Sequence, residues 1–261
     1  MISFEKMPPE AAKKIRYILH DIDDTITNEG KLTAEAYSAL WKLHDAGLKV
    51  IPVTGRPAGW CDMVIREWPV DAIVGENGAF VYYWKDGKPE TFRHPSIPAA
   101  DVSEKLEAVK KACLAGVPGC RVAKDQHFRV CDLAIDFAED EPKLDFEAAK
   151  RIKAIAESMG AVAKISSIHV NAWFGDYDKV SMAKLFFETV WDVKDLHESV
   201  LFFGDSANDE PMFAELPQSC GVANVEPFLK LMAHTPAYVT RGEGGYGFAE
   251  AVKMLLKKRE E

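Results

Sequence analysis

Two short segments place acidic residues at spacings that suit metal and phosphorus chemistry. HDIDDTIT (residues 20–27) follows the apolar run IRYIL and sets Asp21 and Asp23 two apart, where a buried strand gives way to a loop. Packing such carboxylates together is unfavourable unless a cation compensates them. An EF-hand calcium loop needs Gly at its sixth position and Glu at its twelfth. Counted from Asp21 these are Ile26 and Leu32, which excludes that site and leaves a plain acidic turn as the alternative. GDSANDEPMF (residues 204–213) also follows an apolar strand and carries Asp205, Asn208 and Asp209 near a helix start. Alone, these would be read as helix caps. Two acidic strand ends in one sheet instead make an oxygen-rich cluster suited to Mg²⁺, which takes one or two carboxylates plus substrate oxygens and water.

Two further segments are weaker. VTGRP (residues 53–57) offers the Thr54 hydroxyl and backbone N–H groups that can hold a phosphate oxygen, although Thr-Gly before a helix is also ordinary turn chemistry. Lys179, in DYDKVSMAKL, supplies a cation, and in isolation it reads as one more solvated lysine.

The elements that must carry these residues alternate at both ends of the chain. The N-terminal part reads as the strand leading to Asp21, a helix over 33–46 capped by Thr33, a strand over 48–53, a helix over 58–67 and the strand DAIVG. After residue 177 the alternation returns. A helix over 178–191 precedes the strand SVLFFG (199–204), a further helix, a strand near 220–223 and a final helix over 247–258. Such alternation implies a parallel sheet wrapped by helices, whose ligands bind at the carboxyl ends of the strands. The middle differs: two strands joined at Asp86-Gly87, a helix over 101–115, a strand over 128–137, a helix over 144–159 and strands over 161–174. The economical account is one α/β domain, residues 1–86 and 177–261, interrupted by a smaller mixed domain, residues 87–176.

In this order, the four segments resemble motifs one to four of the haloacid dehalogenase (HAD) superfamily: Asp21, Asp23 and Thr25; Thr54; Lys179; and Gly204, Asp205, Asn208 and Asp209. The insertion is similar to the type IIB cap of Cof-like sugar phosphatases, sucrose-phosphate phosphatases and phosphomannomutases, and GENGAFVYY (75–83) is similar to a stretch of that subgroup. The resemblance implies a Rossmann-like α/β core of HAD type, with helices on both faces of a parallel sheet and an inserted α+β cap. Departures are small: His20 where an apolar residue is usual, Asp24 where Gly is frequent, and Val180 after the lysine.

The same resemblance assigns Asp21 as the nucleophile of an Mg²⁺-dependent phosphatase that passes through an aspartyl-phosphate. Mg²⁺ is expected on Asp21, Asp205 and the backbone carbonyl of Asp23, with Asn208 and Asp209 in support. Lys179 adds positive charge, Thr54 binds a phosphoryl oxygen, and Asp23 serves as general acid and then base. Candidate substrate-binding residues are Arg56 and Asn77 from core loops, His127 and Arg129 from one face of an expected cap strand, and His169 and Asn171 from another. A sugar phosphate is the first expectation for the substrate. A phosphomutase and a non-catalytic phospholigand-binding protein are the competing readings.

Composition narrows the partners. A net charge of −9, with no basic block other than the terminal KKRE, disfavours nucleic acid. No apolar run is long enough for a membrane span, and the N-terminus lacks a signal-peptide pattern, so a cytoplasmic protein acting on a small phosphorylated metabolite is expected. The five scattered cysteines, with no CxxC pair, read as buried thiols rather than a disulfide framework or a zinc site.

Overall fold

The computed structural model describes residues 1–98, 100–166 and 168–261. A six-stranded parallel sheet runs in the order Ile2–Ser3, Tyr238–Val239, Ser219–Gly221, Val200–Gly204, Tyr17–His20, Lys49–Pro52. Successive side chains of a strand point to opposite faces, and here both faces are apolar. Ile18, Val50, Leu201 and Phe203 point into one core, together with Leu40, Leu43, Val252 and Leu255 of helices Ala34–Asp45 and Gly244–Glu260. Leu19, Ile51, Val200 and Phe202 point into the other, where helices Lys179–Trp191 and Glu210–Glu215 contribute Met182, Phe186, Phe187 and Phe213. This two-sided burial is why the strands read as unbroken apolar runs.

A hairpin, Phe80–Lys85 with Lys88–Arg93, extends from strand Ala72–Gly75, and a parallel bridge between Val53 and Val74 ties that strand to the main sheet. Its turn is Asp86-Gly87, with φ of 50° and 74°. These are the two left-handed residues that match a two-residue turn to the strand twist. The expected division after residue 86 would cut this hairpin at its tip. Tyr83 and Phe92 pack against the main core, so the hairpin stays with it and the division falls between Arg93 and Val102.

Beyond the hairpin, a four-stranded antiparallel sheet runs in the order Val162–Ile165, His169–Trp173, Asp132–Asp136, Arg121–Val122. Leu133, Ile135, Ala163, Val170 and Ala172 of one face form a separate core with Val109, Cys113 and Ile152 of helices Val102–Gly116 and Phe146–Ser158. The opposite face carries Asp132, Asp136, Asn171 and Lys164 and is turned to the parallel-sheet body, where Trp173 and Cys131 join its core.

Three expectations are corrected. The strand over 128–137 begins only at Asp132, because Gln126–Phe128 is a 3₁₀ turn. Gln126 closes that turn by donating to the Asp132 carbonyl and accepting from the Ala134 N–H, and Arg129 is drawn into ion pairs with Asp125 and Asp132. His127 and Arg129 therefore do not share a strand face. The last helix starts at Gly244 rather than 247 because its glycines are contact positions: a Cβ on Gly245 would strike the Thr33 hydroxyl. The N-terminal residues, unassigned from sequence, form the sheet edge Ile2–Ser3 and helix Pro9–Lys14. All five cysteines are buried free thiols.

Candidate active site

Strands Tyr17–His20 and Val200–Gly204 are parallel neighbours, so their carboxyl ends coincide, and the Asp21 N–H donates to the Phe203 carbonyl at 3.0 Å. This register sets Asp21 beside Asp205. The 3₁₀ turn Ala207–Asp209 then folds Asp209 back beneath them, its Oδ2 accepting from the Asp205 and Ser206 N–H groups at 3.0 and 3.3 Å. One carboxylate oxygen from each of Asp21, Asp205 and Asp209 lies within 4.8 Å of the others.

Lys179 enters from the first turn of its helix, which Asp178 and Ser181 hold in a reciprocal cap. Its Nζ donates to Asp21 Oδ2 at 2.5 Å and lies 3.5 Å from Asp209 Oδ1. The remaining Asp21 oxygen accepts from the Ile22 N–H at 2.7 Å, and Thr25 donates to Asp205 at 2.8 Å.

Three buried carboxylates around one ammonium leave an excess of negative charge. Burial, opposed by Lys179, raises Asp21 to about 7. Burial and then Asp209 and Asp21 raise Asp205 to about 9. Burial alone would lower the Lys179 ammonium, but Asp21 and Asp209 overcome it and push the group above the ordinary lysine range. Asp209 Oδ1 is buried without a hydrogen-bond partner among the described residues. An orphaned carboxylate oxygen in a cluster of hard oxygen donors fits a small divalent cation such as Mg²⁺.

Asp23 takes another course. Its half-exposed carboxylate leaves the cluster and pairs with Arg56, whose Nε and Nη2 donate to Oδ2 and Oδ1 at 2.9 and 2.5 Å. Arg56 also lies 4.3 Å over the Trp60 ring. Asp24, at the position where Gly is frequent in the resembling motif, has φ of 56°, a left-handed conformation that Asp tolerates better than most residues. His20 fits its apolar setting because burial lowers it to about 4 and keeps the ring neutral, with Nδ1 2.7 Å from the Asp21 carbonyl oxygen.

Thr54 is buried, and its hydroxyl accepts from the Arg56 N–H at 3.1 Å. Asn77 donates from its backbone to the Thr54 carbonyl at 3.1 Å. Asn208 and Asn77 line a small pocket with Lys179 and Lys164. Of the cap candidates, Arg129 reaches the body, donating to the Gly55 carbonyl at 3.1 Å, and Asn171 donates to Asp132 at 3.0 Å. His169 pairs with Glu139 at 2.8 Å, and His127 is an exposed ring against Phe128. These two histidines are not drawn into the acidic cluster.

Two residues carry weight that sequence reasoning did not assign. Glu76, fully buried at φ of 43°, accepts from the N–H groups of Ala58, Val130, Cys131 and Asp132 at 2.6–3.1 Å, tying the segment that leads into the four-stranded sheet to the parallel-sheet body. Lys164 alternates along its strand with Ala163 and Ile165, which pack into the separate core, and this alternation is the one signal that aims it at the opposite, inter-domain face.

Known proteins bear on this geometry. A profile of the haloacid dehalogenase-like hydrolases matches residues 18–118. The phosphoglycolate phosphatase of Methanothermobacter thermautotrophicus is 27% identical over 245 residues, covering 93% of this chain and 99% of that one. The phosphoglycolate phosphatase of Pyrobaculum neutrophilum is 29% identical over 249 residues, covering 92% and 96%. Among solved structures, Thermoplasma acidophilum 0175 superposes with a TM-score of 0.71 at 20% identity, covering 93% of this chain and 98% of that one. The HAD subclass IIB sugar phosphatase BT4131 gives a TM-score of 0.64 at 18% identity, covering 91% and 98%. Likeness at that level of identity speaks for the fold. Residues 18–118 thus match the haloacid dehalogenase-like hydrolases, and the chain as a whole shares its fold with the subclass IIB sugar phosphatase.

Proposed function

We propose that the protein is a magnesium-dependent phosphomonoester hydrolase that works through an aspartyl-phosphate on Asp21. The match of residues 18–118 to the haloacid dehalogenase-like hydrolases and the curated relatives named phosphoglycolate phosphatases support the phosphatase reading. The observation that carries the mechanism is the Asp21 carboxylate at a strand end, held 2.5 Å from the Lys179 ammonium beside two further carboxylates. When bound by Asp21, Asp205 and the Asp23 carbonyl, the metal supplies positive charge that offsets the repulsion between carboxylate and phosphate.

Asp21 forms a bond to phosphorus as the bond to the leaving oxygen breaks, and Asp23 gives that oxygen its proton. Water then attacks phosphorus, Asp23 takes up the water's proton, and the Asp21–phosphorus link breaks. The Arg56 pairing holds the Asp23 carboxylate at the edge of the site, and its opening lets that carboxylate take from solvent the proton that it then gives to the leaving oxygen. Lys179 holds Asp21 in line and balances charge on the phosphoryl oxygens. The Thr54 hydroxyl meets one of those oxygens. The division into body and cap belongs to this reading: the polar cap face closes over the phosphate and selects the leaving group.

A sugar phosphate remains the expected substrate class. The relatives named phosphoglycolate phosphatases favour a second reading, a small phosphorylated acid. No helix among the described residues is long and apolar enough to cross a membrane. The test is phosphate release from a panel of phosphomonoesters with and without Mg²⁺, comparing wild type with Asp21→Asn. Metal-dependent release that the variant loses is the expected result. Activity surviving in Asp21→Asn would refute the nucleophile, and isomerisation of a sugar phosphate without release would point to a mutase.

A further inference from the structure

The face of the cap sheet turned to the body is crowded with charge, and nearly all of it is matched. Asp132 is held by Arg129 and Asn171, Asp136 by Arg121, and Glu139 by His169. On the body side, Asp21 is matched by Lys179 and Asp23 by Arg56. Lys164 is the exception. It sits mid-strand opposite Asn171, is half-buried between the two bodies, and pairs with no carboxylate among the described residues. It shares one small pocket with Lys179, Asn77 and Asn208. Asp178, which also lines that pocket, spends an oxygen on the Ser181 N–H as a helix cap. Burial pulls the Lys164 ammonium below the ordinary lysine range, opposed by the charge of Asp178, which makes no hydrogen bond to it among the described residues, and reinforced by Lys179.

Resting on the phosphatase reading above, we infer that Lys164 is a specificity-determining residue that receives a second anionic group, a carboxylate, on the leaving alcohol of a short phosphorylated acid. The pocket places this cation next to Lys179, so one substrate reaches both when phosphate and carboxylate are separated by a skeleton of a few carbons. A neutral sugar hydroxyl would leave Lys164 without its counter-charge, and a partly desolvated ammonium gains most from an anionic acceptor.

The experiment compares phosphoglycolate with ethyl phosphate, and 3-phosphoglycerate with glycerol 3-phosphate, in wild type, Lys164→Met and Lys164→Arg. Wild type should favour each acid over its neutral counterpart. Lys164→Met should raise KM for the acids by about 10- to 100-fold, the range of one charge-assisted hydrogen bond. It should leave kcat, and both constants for the neutral esters, within about twofold of wild type, and Lys164→Arg should keep most of the preference. Equal effects on acids and neutral esters, or no effect on either, would overturn the assignment. Equilibrium binding of the same four compounds to Asp21→Asn, with and without Lys164→Met, keeps the two readings apart. If no ester is turned over, the phosphatase reading fails. A preference for acids in binding that disappears with Lys164→Met would still support the lysine, and equal binding of acids and neutral esters would overturn it.

Discussion

Gly78 is where a single methyl group should disturb both fold and catalysis. It has φ of 109°, and a Cβ there would lie 2.5 Å from the carbonyl carbon of Asp178 and closer still to its oxygen. Ordinary contact begins at 3.4 Å, and neither neighbour is a flexible side chain. Close-packed backbone has no slack, so the 76–78 loop or the start of the Lys179 helix must retreat by about 1 Å. Overpacking and left-handed strain together should remove about 2–5 kcal/mol of stability, lowering Tm by roughly 5–15 °C in a chain of this length. The same retreat moves Lys179 away from Asp21, which it now meets at 2.5 Å. A misplacement of about 1 Å in a reacting constellation can lower kcat by about 100-fold. Gly87→Ala is the control, because Gly87 is also left-handed at φ of 74° but has nothing within 4 Å of its Cβ position. It should show the strain alone and normal turnover. Thermal unfolding and metal-dependent phosphate release measure the two effects. Wild-type Tm and kcat in Gly78→Ala would refute the claim that this contact positions Lys179.

Burial and the nearby Asp132, opposed by the backbone donors, raise Glu76 from 4.5 to about 7. Folding therefore favours the protonated acid, so its contribution is fully present below pH 4.5 and is lost as pH rises to about 7. Glu76→Gln should flatten that part of the stability profile by up to about 3 kcal/mol in urea titrations, and parallel profiles would contradict the account. Mg²⁺ should raise Tm, by the equivalent of about 2.7 kcal/mol at 100 times its Kd. Because Asp205 is raised to about 9, the ion displaces a proton near neutrality, and its affinity should climb between pH 7 and 9. Calorimetric affinity that stays constant over that range, or is unchanged in Asp205→Asn, would count against this metal site.

Local pattern made much of this molecule legible. Ile18 and Leu19 announce a strand buried on both faces, Asp86-Gly87 announces its turn, and the strand ends that present Asp21 and Asp205 follow from apolar runs that stop at carboxylates. Thr33 caps its helix as the sequence suggested, accepting from the Ala36 N–H at 3.1 Å. What escaped depends on groups distant in the chain. Nothing near Asp23 foretells that Arg56, 33 residues on, will hold its carboxylate away from the cluster. The four N–H groups gathered by Glu76 come from segments 18 and 54–56 residues away. The segment around His127 and Arg129 has the residue types of a strand, but side-chain bonds from Gln126 close it into a turn. The two-residue edge Ile2–Ser3 is too short to show a period, and only its partner Tyr238–Val239 defines it.

The alternation within the cap sheet separates two kinds of selection. Leu133, Ile135, Val170 and Ala172 hold the four-stranded unit together from one face, whereas Lys164 shares a pocket with residues of the body on the other, where Asn171 bonds Asp132. Under the proposed function, a change at an outward position would alter which leaving group is accepted without touching the packing beneath it. A lineage carrying this cap can thus drift from one phosphate ester to another by single substitutions, at little risk of unfolding along the way. The strand ends that carry Asp21 and Asp205 have no such freedom, because there the charged side chains hold one another in place.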